Sequence, residues 1–228
     1  MDIELEQRPS KPNPTQEVPV YLITVPGNFE SRYYTGITTD SWGLRGYTVN
    51  FVPALKAEDD FYKKYADRFT TVERTFGRKG RRKFYKSEIS RFLSHVKLWE
   101  AIVTRGIRRV FIIEHDCKLE RHVPSWYRNS QIGFLAKSSH PSFYTNYTAA
   151  GIKSCTGYYI RIDYAQRLLE DFYSTPVINF NIEKYLYVMS IFDVKYSATS
   201  FAEAKNVPAV ELFDPEIGNT VKDERKKY

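Results

Sequence analysis

A long amphipathic helix that passes through a single glycine into an unbroken apolar strand is the feature that most narrows what this chain can fold into. Ile89, Phe92, Leu93, Val96, Trp99, Ile102 and Val103 recur at steps of three and four. That spacing predicts a one-faced helix over Ser87–Arg105, with Ser87 as its cap and Gly106 closing it. Val110-Phe111-Ile112-Ile113 follows at once. An apolar run that short reads as a central strand covered on both faces. A strand and a helix that each need a covering layer belong to an α/β architecture.

The other segments fit the same class. Val18–Val25 reads as a strand ending at the turn Pro26-Gly27-Asn28, followed by a helix through Arg32 and Tyr33 and a strand at Tyr47–Val52. Helices are expected over Asp59–Arg68, Asp163–Phe172 and Ile182–Met189, and strands over Gly157–Ile162 and Phe192–Tyr196. The 228 residues suit one domain. It is expected over 18–215, with 1–17 a flexible N-terminal arm and 216–228 a solvated tail. No apolar leader and no stretch of about 18 uninterrupted apolar residues is present, so a cytoplasmic protein without a transmembrane segment is expected. The two cysteines, Cys117 and Cys155, are too few for a disulfide scaffold. The 18 Tyr and 15 Phe exceed what one core needs. Tyr144, Tyr147, Tyr158 and Tyr159 are candidates to stack on a base or sugar, although core packing is the commoner fate of such rings.

The apolar strand stops at Glu114-His115-Asp116. In open α/β sheets ligands bind beyond the carboxyl ends of strands, so acids there lie where a site is expected. Extended geometry puts Glu114 and Asp116 on one side and His115 on the other. Two carboxylates on one side form an oxygen-rich site suited to Mg²⁺ or Mn²⁺, hard cations that also bridge diphosphate oxygens.

The segment Ser87-Glu88-Ile89-Ser90-Arg91-Phe92-Leu93-Ser94-His95, then Leu98-Trp99, then Ile112-Ile113-Glu114-His115-Asp116, resembles glycosyltransferase family 25. That family's pattern is a "GE-I-G-C-x-x-S-H" helix start, a following "L-W" and an "I-L-E-D-D" strand. Val20-Tyr21-Leu22-Ile23 with Arg32 is similar to the family's opening, and Thr156-Gly157-Tyr158-Tyr159-Ile160 with Ala165 and Leu168-Leu169 to its "G-Y-x-I … A-x-x-L-L" element. The resemblance covers about residues 18–190. It implies a GT-A-like nucleotide-sugar-binding fold, a mixed central sheet flanked by helices, using a UDP-sugar donor with Mn²⁺ or Mg²⁺. Asp116 would then be the principal metal ligand, with Glu114 on the metal or the donor ribose and His115 able to add a nitrogen. Glu88, Ser94, His95 and Arg32 would lie near the donor. A lone His on an apolar helix is, however, more often a hydrogen-bonded packing residue than a catalyst.

Three departures from the family pattern stand out. His115 replaces the middle acid, Arg91-Phe92 replaces the small Gly-Cys pair, and the late "P-x-D" has become Pro176 to Glu183 without an Asp. The general base is therefore open among Glu183, Asp163 and Glu88, with Glu183 leading because it stands nearest the missing acid.

A formal charge of +7 invites an anionic partner. The densest basic run holds Arg78, Lys79, Arg81, Arg82, Lys83 and Lys86, interleaved with Phe84 and Tyr85, directly before the long helix. Such a run could follow a phosphodiester backbone while a base is extruded and held by aromatic rings. DNA bearing a hydroxylated base is therefore favoured narrowly over lipopolysaccharide as acceptor. The contrasting class is a non-catalytic nucleic-acid or glycan-binding module on a decayed glycosyltransferase fold.

Overall fold

The computed structural model describes residues 18–73, 81–119, 123, 131–137 and 153–191. The expected arm at 1–17, Arg78 and Lys79, Tyr144 and Tyr147, Cys155's side chain, the strand at Phe192–Tyr196 and the tail at 216–228 lie outside what is described.

Chain order runs β1 (Val20–Thr24), α1 (Phe29–Gly43), β2 (Val49–Pro53), α2 (Asp60–Tyr65) with a 3₁₀ turn at Ala66–Arg68, β3 (Val72–Glu73) and β4 (Arg81–Arg82). It continues with α3 (Lys86–Thr104), β5 (Arg109–Glu114), β6 (Ile132–Lys137), β7 (Lys153–Arg161), α4 (Ile162–Ser174) and α5 (Ile182–Ile191). The main sheet has the order β2-β1-β5-β7-β6, and β3 and β4 form a separate pair. β1 is parallel to β2 and to β5, whereas β7 is antiparallel to β5 and β6. The sheet is therefore mixed and flanked by helices, the α/β class expected.

Alternation along β5 divides the interior in two. Val110 and Ile112 join the cluster that α3 and α4 close with Phe92, Leu93, Val96, Trp99, Leu168 and Phe172. Phe111 and Ile113 face the opposite layer, with Val20, Leu22, Trp42 and Tyr47. Trp42 packs edge-on to Tyr47 and tilts against Phe111, at 5.0 and 5.6 Å between ring centroids. This double burial is why β5 reads as an uninterrupted apolar run.

α3 begins one residue earlier than Ser87 suggested. The Tyr85 N–H donates to the Glu88 carboxylate at 3.0 Å, so Glu88 caps the helix from its first turn. Gly106, at φ +65°, ends the turn after α3 as expected.

Gly157 lies in β7 opposite Ile113. A Cβ built there would sit 2.5 Å from the sulfur of buried Cys117. Gly157→Ala is expected to cost about 1–3 kcal/mol by overpacking, read as a lower urea midpoint with an unchanged slope. An unshifted midpoint would mean the segment after Asp116 gives way freely.

Candidate functional site

The carboxyl ends of the parallel strands β1, β2 and β5 share one edge of the sheet. β5 leaves the sheet at Glu114, and His115 and Asp116 form a turn rather than continuing the strand. Three bonds from α1 hold this turn and the segment after it. Thr38 Oγ1 donates to the His115 carbonyl (2.7 Å), Trp42 Nε1 donates to the Cys117 carbonyl (2.9 Å), and the Leu119 N–H donates to Ser41 Oγ (2.9 Å). Thr38, Ser41 and Trp42 were not singled out in the sequence, because their partners lie more than seventy residues away.

Glu114 is buried and tightly held. Arg91 grips it in a fork, Nε to Oε1 and Nη2 to Oε2, both at 2.7 Å. His95 Nε2 lies 3.0 Å from Oε1. Beyond it, His95 Nδ1 is 2.8 Å from Tyr158 Oη, which accepts from Trp99 Nε1 at 2.9 Å. This buried chain is satisfied end to end when the imidazole carries its proton on Nε2, the nitrogen facing the carboxylate. Burial by itself would raise the Glu114 carboxyl. The Arg91 charge and the bonds from His95 and Arg91 outweigh it and hold the group well below the usual carboxylate range. Arg91 also reaches Glu183 in the first turn of α5, with Nη2 at 3.5 Å from Oε1.

Asp116 is the contrasting acid. It is 5% exposed, and its Oδ1 is buried without a hydrogen-bond partner. Burial, then the nearby negative charge of Glu114, push its carboxyl up to about 6, while His115 and Arg91 offset part of the rise. His115 itself is only half-buried.

The structure thus brings Glu114, Asp116, His95, Arg91 and Glu183 to one place but does not make a three-ligand cage of Glu114, His115 and Asp116. Among the described residues, no three His, Cys, Asp or Glu side chains gather as a metal cluster. Glu114 is engaged by Arg91 and His95. His95 is the buried packing residue that its apolar helix suggested. Ser94 accepts from the Leu55 N–H (2.9 Å) and donates to the Ser90 carbonyl (2.7 Å), so it ties the loop after β2 to α3. Arg32 stands exposed in the opening turns of α1.

Two candidate bases are held by other partners. Glu88 caps α3 and pairs with Arg82, whose Nη1 lies 2.7 Å from Oε2. Asp163 lies at the opposite edge. Because β7 is antiparallel to β5, Arg161 faces Arg109 at the start of β5, and Asp163 pairs with Arg161 at 3.2 Å. At about 3.3 Å per strand residue it stands roughly 16 Å from Glu114. Asp163→Asn is expected to leave turnover within about two-fold of the parent, the scale of an ordinary surface substitution. A large loss of kcat would return Asp163 to the mechanism.

The basic run is also partly spent. Arg82 serves Glu88 and lies over the Tyr85 ring at 4.4 Å, and Phe84 packs edge-on to buried Phe69 at 5.3 Å. Lys83 and Lys86 remain exposed beside the start of α3. A groove of about 580 Å³ runs between β2 and α3, lined by residues including Phe51, Val52, Leu98 and Ile102. Neither Asp116 nor Glu183 lines it.

Among the described residues no helix is long and apolar enough to cross a membrane. No curated protein matches the chain in sequence. One structural match is a glycosyltransferase involved in the glycosylation of the major capsid of PBCV-1. It is 7% identical, covers 80% of this chain and 81% of that one, and has a TM-score of 0.43. Residues 38–137 match the family model described as glycosyltransferase family 25 (LPS biosynthesis protein). That span runs from the middle of α1 through α3 and β5 to β6, taking in Arg91, His95, Glu114 and Asp116. The mixed sheet flanked by helices agrees with the GT-A-like fold that the resemblance implied. Over that span, somewhat under half of its length, the chain is similar to glycosyltransferase family 25, in agreement with the resemblance that its motifs carry.

Proposed function

We propose that the enzyme transfers a sugar from a UDP-sugar to an acceptor hydroxyl, with a divalent cation held at Asp116. The observation that carries the reading is the buried Asp116 Oδ1, a polar atom without a partner at the carboxyl edge of the sheet. Mg²⁺ and Mn²⁺ are commonly bound through one or two carboxylates plus substrate phosphates, so a single engaged aspartate fits such an ion and a full protein cage is not needed. When bound, the cation would neutralise the charge developing on the leaving diphosphate.

The chain's own residues supply the rest. Arg91 and His95 fix Glu114 and with it the end of β5. The α1 bonds to His115, Cys117 and Leu119 hold the turn that presents Asp116. Glu183, beside Arg91 and mostly buried, is the carboxylate positioned to accept the proton of the attacking hydroxyl.

For the acceptor, exposed Lys83 and Lys86 suit an anionic molecule. With Arg82, Phe84 and Tyr85 engaged internally, the family's description favours a lipopolysaccharide saccharide over DNA for this chain. Incubation with UDP-sugars, Mn²⁺ and each acceptor, followed by UDP release and product mass, tests both levels. UDP release with a glycosylated saccharide supports the reading. Glycosylated DNA, with affinity falling steeply as salt rises, would transfer it to a DNA acceptor. Binding of either without UDP release would leave a binding module in place of an active enzyme.

A further inference from the structure

We propose that the Arg91 guanidinium is a built-in counter-ion that withholds Glu114 from the metal, leaving Asp116 as the strand-end carboxylate that the cation engages. The inference deepens the assignment of a cation at Asp116 and rests on it. It starts from a departure in this chain's own sequence, since Arg91 stands where the resemblance leads one to expect a small residue. A small side chain there could not reach the strand, whereas the arginine forks onto both Glu114 oxygens at 2.7 Å. His95 takes a further acceptor direction of Oε1 at 3.0 Å.

The same guanidinium lies 3.5 Å from Glu183, so one fixed positive charge sits among acids from α3's facing strand and from α5. A carboxylate gripped this way is a poor ligand, because binding a metal would mean breaking charge-assisted bonds in a buried setting. Asp116 has no comparable partner on Oδ1. Two acids two residues apart thereby acquire different tasks: Glu114 anchors β5 to α3, and Asp116 is left to the ligand. The half-buried His115 between them adds no further negative charge to the acids around Arg91.

The test is Mn²⁺ binding to purified protein, followed by the electron paramagnetic resonance signal of free Mn²⁺, with and without UDP. Glu114→Gln, close in shape, is expected to leave Mn²⁺ affinity within about three-fold of the parent. Arg91→Ala is expected to tighten Mn²⁺ binding by about ten-fold or more, because it releases a second carboxylate beside the first. Arg91→Lys, which keeps the charge, should stay near the parent. A purely structural arginine predicts the reverse for Arg91→Ala, a loss of binding with loss of order. Circular dichroism reports whether that variant folds, and if it does not, Glu114→Gln decides alone. A ten-fold loss of Mn²⁺ affinity in Glu114→Gln, or no gain in folded Arg91→Ala, overturns the proposal. Asp116→Asn separates it from the reading beneath it. Unchanged Mn²⁺ affinity there removes the cation from Asp116, whereas the Arg91 and Glu114 variants report on the counter-ion itself.

Discussion

Asp116→Asn is expected to cut sugar transfer by on the order of 10³-fold while making the metal-free protein more stable at neutral pH. Both effects come from one carboxylate that is buried, lacks a partner on Oδ1 and is pushed up to about 6 by burial and by Glu114. A carboxyl whose pKa is raised on folding binds its proton more tightly in the native state than in the unfolded chain. Its contribution therefore favours the fold below the unfolded value of 3.8 and turns unfavourable as pH climbs through about 6. At pH 7 the ionised group costs on the order of 1–3 kcal/mol, from roughly two units at 1.36 kcal/mol each. Asn removes that charge at nearly constant volume, so the variant should melt several degrees higher at pH 7 and close to the parent at pH 4.

Glu114 does not confuse this window. Its carboxyl is held low by Arg91 and His95, so its stabilisation persists until pH falls well below the ordinary carboxylate range. Loss of the cation's charge stabilisation, worth several kcal/mol, should lower turnover by on the order of 10³-fold. Thermal melts from pH 4 to 8 beside a UDP-release assay read both. A variant that melts lower at pH 7, or that turns over near the parental rate, contradicts the assignment of Asp116. A gain in stability with loss of activity is the pattern expected where a site keeps a strained charge for its ligand.

Glu183→Gln is expected to cut kcat by on the order of 10²-fold or more with KM little changed, as for a base that acts only on the reacting proton. Glu183 is the candidate base that the fold delivers to the site, in the first turn of α5 and 3.5 Å from Arg91. The substitution keeps the side chain's shape and an acceptor oxygen toward Arg91, so a loss of kcat would come from the missing basicity rather than from a collapsed α5. Single-turnover measurements with saturating donor separate chemistry from product release. Near-parental kcat would remove Glu183 from the mechanism and leave it as a second partner of Arg91.

The sequence by itself determined α3, β5 and the place where β5 ends in acids. Those features rest on local periodicity: apolar steps of three and four make one helix face, and an unbroken apolar run makes a strand buried on both sides. It also put the family motif in order and named Asp116 and Glu183 as candidates, which the fold places beside Glu114 and Arg91 respectively. What it could not contain is which side chain answers which across the fold. Arg91 stood out only as a departure from the family pattern, yet it meets Glu114, 23 residues on, and Glu183 in a different element. Glu88 was one of the candidate bases, and the fold also makes it a helix cap through the Tyr85 N–H, a backbone group. Asp163 was a candidate behind Glu183, and only the antiparallel direction of β7 shows that it stands at the far edge of the sheet. Residue pattern fixes which face of an element is buried, whereas strand order, strand direction and helix placement decide which charges meet there.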